Sequence, residues 1–223
     1  VDRFSAKVRE PLLPPFQTAS ISVWLPNVNG SLVYKPTSTS SVYFTYNYSR
    51  NTSGAVGNGG GITGWNGAGT ALDKESFQQP SSLYEVGTKY ALAGNTVFLN
   101  FAVYDQKRTA KSTSSTVIQE YHYKGFEAEL NYQPTKHVYA TVSYSFIDAE
   151  ASAGFQAGLF GGISEIPPGN LVKPTVPIGT VTQVSGLPKH LFNGLVSYSL
   201  DNGLTFTANT VVTGEMNNNT SGS

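Results

Sequence analysis

The sequence predicts an all-β fold, an antiparallel up-and-down meander, and three observations predict it. Apolar and polar residues alternate with period two over long runs, the signature of strands, because successive side chains point to opposite faces. Of 223 residues, 13% are charged, about half the usual quarter, while 13 Tyr, 12 Phe and 23 Gly supply strand formers and loop residues. Short polar connections alternate with long ones along the whole chain.

The clearest stretch runs from Ile118 to Phe146. Phe126, Ala128, Leu130 and Tyr132 share one parity, and Gly125, Glu127, Glu129 and Asn131 the other. After a turn assigned to Gln133-Pro134-Thr135-Lys136, Val138, Ala140, Val142, Tyr144 and Phe146 alternate with Tyr139, Thr141, Ser143 and Ser145. Both arms exceed the usual strand of about five or six residues.

From the start, Val1 to Ala6 alternates and reads as the end of a strand, and Pro11, Pro14 and Pro15 mark a loop. Strands follow over about Val28 to Tyr34 and Val42 to Tyr48, joined by Lys35-Pro36-Thr37-Ser38, before a Gly- and Asn-rich loop from Asn51 to Pro80. Tyr84, Val86, Tyr90 and Leu92 share a parity, Ala93-Gly94-Asn95 is a turn, and Val97, Leu99, Phe101 and Val103 form the next strand. A loop is assigned to Gln106 to Ser115, and a long one from Asp148 to about Gly186. The last pair, Leu191 to Leu200 and Leu204 to Val212, is joined by Asp201-Asn202-Gly203, a tight-turn signal. The expectation is one curved sheet of about eight or nine strands paired neighbour to neighbour.

In such a sheet the four short turns fall at one end and the long loops at the other, the asymmetry of outer-membrane barrels. Tyr34, Tyr43, Tyr90, Phe98, Tyr132, Tyr139, Tyr198 and Phe206 lie near the short turns, where a girdle of amphipathic rings is expected. No run of 18 apolar residues exists to cross a membrane as a helix. The net charge of +0 lacks the basic excess of a nucleic-acid partner. With no cysteine, disulfides and thiolate metal sites are excluded.

Catalytic and cofactor patterns are weak throughout. His122, His137 and His190 sit on different elements without metal-ligand spacing. Gly59 to Gly64 fits GxGxxG formally, yet Trp65-Asn66-Gly67-Ala68-Gly69 follows it instead of a helix. Glu127 and Glu129 stand about 7 Å apart on one strand face by strand rise, a separation a glycosidase pair also shows; a structural role on a polar wall is the simpler account. The expectation is no enzyme, no cofactor and no metal.

Several motifs occur in one order: Val33-Tyr34-Lys35-Pro36-Thr37, Tyr84-Glu85-Val86-Gly87-Thr88-Lys89-Tyr90, Lys124-Gly125-Phe126-Glu127-Ala128-Glu129, Tyr144-Ser145-Phe146-Ile147-Asp148-Ala149-Glu150 and Leu187-Pro188-Lys189-His190. In these the chain resembles the TonB-dependent outer-membrane receptors, over nearly all its length, and in particular the siderophore-receptor branch. The resemblance implies a fragment of a 22-stranded transmembrane barrel, with residues 1–223 a partial barrel domain lacking the plug. By the same resemblance about ten strands precede Val1 and about three follow Ser223; the start without a leader and the polar tract from Met216 to Thr220 read the same way.

What the resemblance implies in function is active uptake, at the bacterial outer membrane, of a scarce ligand such as a ferric siderophore, driven by TonB. A carbohydrate or cobalamin ligand stays open. The implied partners are outer-membrane lipid, the plug of the same full-length chain, the TonB complex through the absent N-terminal part, and the small ligand. Carried over by motif, Glu85 and Glu127 face the plug and pair with its arginines, with Glu129 and Lys89 beside them on the same parity. Ligand-contact candidates in the long loops are Trp65, Phe155 and Phe160, with Lys107, Arg108 and Lys111 to meet an anionic ligand. The alternatives are a soluble β-sandwich binding or adhesion module, which would bury the apolar parity between two sheets, and a passive porin-like barrel.

Overall fold

The structure is a computed structural model that describes residues 1–10, 17–52, 72, 74–110, 119–152, 181–184 and 186–216. Eleven strands are present among them: β1 (Asp2–Glu10), β2 (Gln17–Leu25), β3 (Asn27–Thr37), β4 (Ser40–Asn51), β5 (Gln79–Leu92), β6 (Val97–Ala110), β7 (Gln119–Thr135), β8 (Val138–Ser152), β9 (Val181–Gln183), β10 (His190–Ser199) and β11 (Thr205–Thr213). A 3-10 turn, Lys74–Phe77, is the one helical element among the described residues.

Nine strands form one sheet in the order β11-β10-β8-β7-β6-β5-β4-β3, with short β9 also on β8, and every pairing is antiparallel. This is the predicted meander. The registers line up the apolar parities into in-register rows. One row holds Phe44, Val86, Val103, Phe126 and Phe146, the next Val42, Thr88, Phe101, Ala128 and Tyr144, and a third Tyr90, Leu99, Leu130 and Val142. The band is exposed, with Val103 at 54% and Val86 at 45%. No second sheet lies on it among the described residues, so the sandwich alternative lacks the buried interface it needs.

The sequence predicts neither β2 nor β9, while the strand expected over Val1 to Ala6 is β1, which runs on to Glu10. β1 and β2 form a separate two-stranded sheet at the long-connection end. β2 runs into β3 through Pro26 alone, whose carbonyl accepts from Arg50 N–H at 3.1 Å. Ile21, Val23 and the fully buried Phe77 make a small core under this hairpin, with Phe4, Ala6 and Leu25 against it. The alternation Ala19, Ile21, Val23, Leu25 carries the strand signal that the neighbouring prolines obscured.

The short turns differ from expectation in one instructive way. The turns are Ser38–Thr39 and Lys136–His137, and Pro36 and Pro134 fall instead in register shifts, between Tyr34 and Thr37 and between Tyr132 and Thr135. A proline has no N–H for the ladder, so a bulge accepts it where a regular strand position does not. The two corners are built alike, as Tyr-x-Pro-Thr: Thr37 Oγ1 accepts from Thr39 N–H at 3.3 Å and Thr135 Oγ1 from His137 N–H at 3.2 Å. The β5–β6 turn uses positive φ at Ala93, Gly94 and Asn95, and the β10–β11 turn uses it at Gly203.

Adjacent short turns are tied to one another. Gln133 N–H donates to Thr96 O at 2.8 Å, Ser199 N–H donates to His137 O at 2.8 Å, and Lys136 Nζ lies 3.0 Å from Asp201 Oδ1. Of the eight rings expected in a girdle, Tyr34, Tyr90, Tyr132, Tyr198 and Phe206 lie on the apolar face. Tyr43, Phe98 and Tyr139 take the opposite parity, so they belong to the polar face.

Candidate functional site

The face opposite the apolar band carries the chemistry. Each register places its residues: Glu85 stands between Thr45 and Tyr104, Glu127 between Ala102 and Ser145, and Glu129 between Asn100 and Ser143. Glu127 and Glu129 are exposed and Glu85 is half-buried. The Tyr43 hydroxyl lies near the Glu85 carboxylate on this face. Asn131 Nδ2 donates to Glu129 Oε1, and Tyr139 Oη donates to Asn131 Oδ1 at 3.1 Å.

Two glycines shape this face. Tyr43 is the cross-strand partner of Gly87, and a Cβ there would meet its ring at 2.4 Å. Tyr104 is the partner of Gly125, where a Cβ would meet the ring at 2.1 Å. Each ring therefore lies flat over a bare backbone, beside a glutamate of the same motif. The sequence offers Tyr43 only as a girdle ring, and neither contact is legible in it, because only the register shows that each tyrosine faces a glycine.

Lys89 does not reach Glu85 as an ion pair. They are four residues apart on one strand face, about 13 Å by strand rise, with Gly87 and the Tyr43 ring between. Lys89 Nζ instead sits 5.5 Å from the centroid of the Tyr43 ring.

The ligand candidates divide. Trp65, Phe155, Phe160 and Lys111 lie outside the described residues. Lys107 and Arg108, expected in a loop, are on β6, which continues to Ala110. As strand neighbours they point to opposite faces. Arg108 is on the polar face at the long-connection end, its guanidinium 4.9 Å from the Tyr121 ring and 5.8 Å from Tyr123, two rings stacked within 3° of parallel. Lys107 is on the face of the apolar band.

The profile of one family, described as TonB dependent receptor-like, beta-barrel, matches residues 1–223. The chain belongs to the TonB-dependent receptor family. Among solved structures, the siderophore receptor PiuA from Acinetobacter baumannii matches with a TM-score of 0.57 and 17% sequence identity, covering 95% of this chain and 29% of that one. At that identity the likeness shows the fold, and this chain spans under a third of the length of that receptor. No curated protein matches at a significant level. For a TonB-dependent receptor barrel, the nine-stranded sheet is a stretch of wall with both edge strands, β3 and β11, unpaired on one side among the described residues.

Proposed function

We propose that this wall belongs to a bacterial outer-membrane receptor that takes up a scarce small ligand, such as a ferric siderophore, with energy delivered through TonB. The observation that carries the reading is the two-faced meander, an exposed apolar band on one face and a polar face opposite, inside a whole-chain family match. The band is then the lipid-facing surface and the polar face the lumen. The name of the PiuA structure supports a siderophore over a carbohydrate or cobalamin. The test is deletion of the full-length gene and measurement of labelled ferric-siderophore, cobalamin and oligosaccharide uptake, with and without functional TonB. Siderophore uptake is expected to fall on deletion where TonB is functional, and to be absent without TonB whether or not the gene is present; uptake indifferent to the deletion and to TonB sinks the reading.

Within this reading Glu85 and Glu127, with Glu129 beside them, hold the plug of the full-length chain through its arginines, and Arg108 meets the anionic ligand at the mouth. Bidentate Arg–carboxylate pairs away from bulk water are strong and directional. In the full-length receptor, Glu85→Gln with Glu127→Gln is expected to raise the passive leak of small solutes, read as liposome swelling. An unchanged leak leaves the glutamates as lumen polarity only.

A further inference from the structure

The two faces of the β1–β2 hairpin are unlike. Phe4, Ala6, Ile21, Val23 and Leu25 lie on one, over the small core. Arg3, Lys7 and Arg9 lie on the other, in register with Trp24, Ser20 and Thr18. All six are exposed, and with Ser5 and Ser22 among them the face holds three cations and no carboxylate. By strand rise Lys7 stands about 13 Å from Arg3 and about 7 Å from Arg9, so the three form one row.

The core that steadies this hairpin comes from elsewhere in the chain. Phe77 and Leu72 belong to the connection between β4 and β5. Phe77 is fully buried, its ring 5.7 Å from that of Phe4. Gln78 Nε2 donates to Trp24 O at 2.8 Å, and Gln79, also buried, opens β5 in register with Asn51. The hairpin itself pairs with no strand of the nine-stranded sheet among the described residues, and Pro26 alone links β2 to β3. A lone two-stranded hairpin is marginal in water, so its pose depends on the ring that fills its core.

We propose that Phe77 is a positioning residue for ligand capture, holding the hairpin so that Arg3, Lys7 and Arg9 present one cationic row to an anionic ligand. This role rests on the uptake reading and adds the charge of what is captured. Held in one pose, the row attracts an anion without having to be ordered at the moment of binding. Freed to turn about Pro26, the same charges lose their common orientation, and part of the attraction is spent on ordering them.

Two readouts on the full-length receptor test this role. One is trypsin cleavage after Lys74, the one Lys or Arg between Asn51 and Gln79, followed by mass spectrometry without ligand. The other is uptake by TonB-competent cells of two labelled probes, an anionic ferric tris-catecholate and a neutral ferric tris-hydroxamate. Wild type is expected to resist the cut and to half-saturate at lower concentration with the anionic probe. Phe77→Ala is expected to speed the cut about a hundredfold, since cleavage tracks the open population. It is expected to raise half-saturation for the anionic probe about tenfold at unchanged maximal rate, and Phe77→Leu to recover most of both losses. Lys7→Gln is expected to raise half-saturation about threefold while leaving the Lys74 cut as in wild type. A closed Lys74 site in Phe77→Ala, an unchanged half-saturation beside an opened site, a fall in maximal rate alone, an indifferent Lys7→Gln, or a preference for the neutral probe each overturns the proposal. A wild type that takes up neither probe overturns the uptake reading and this role with it, whereas each of the other outcomes leaves uptake standing.

Discussion

Val142→Arg in the full-length receptor is expected to lower folding stability in the bilayer by about 2–4 kcal/mol, while Ser143→Arg changes it by about 0.5 kcal/mol or less. The two residues are adjacent on β8, which makes the contrast sharp. Val142 is 39% exposed in the middle of the apolar band, between Leu130 and Gly194. A guanidinium there enters hydrocarbon with no partner at hand. Ser143 stands across from Glu129 on the polar face, where an arginine gains a carboxylate. Urea titration of the receptor folded into vesicles reads both. Equal losses at the two positions would remove the assignment of one face to lipid.

Gly125→Val is expected to cost about 1–3 kcal/mol, the usual range for overpacking. Its Cβ would fall 2.1 Å from Cζ of Tyr104, so the ring must leave the backbone it covers. Valine's strand preference opposes this by about 1 kcal/mol at most, too little to reverse the sign. Removing the ring as well, in Tyr104→Ala with Gly125→Val, recovers part of the loss; a coupling near zero in that double-mutant cycle would mean the ring is not what the new side chain meets. Gly87 and Tyr43 repeat the arrangement one strand pair away, at 2.4 Å.

The sheet was legible because its code is local. Period-two alternation placed β3 to β8, β10 and β11, and the Asn202-Gly203 pair marked its turn through a glycine at φ +86. Where chemistry is not periodic the reading slipped. Pro36 and Pro134 look like turn residues and are bulge residues, because a missing N–H is tolerated in either place. β2 has clear alternation but sits among prolines, and β9 is three residues long, too short to show a period. Glu85, Glu127 and Glu129 were placed on the polar face by parity alone. Lys107 and Arg108 read in the sequence as loop cations, and only the extension of β6 separates them to opposite faces. The tyrosine–glycine contacts depend on register between strands, which no single strand encodes.

In the nine-stranded sheet each strand pairs with its neighbours in sequence, and β10 reaches β8 by stepping over short β9 alone. A sheet wired this way has a natural order of assembly. Each new hairpin needs only the edge left by the one before it, and no strand waits for a distant partner. The closing entropy of the connections grows slowly, about 0.6 kcal/mol for each doubling of length. Sequence can lengthen and diverge along that rim while the wall is still laid down one hairpin at a time in the same succession.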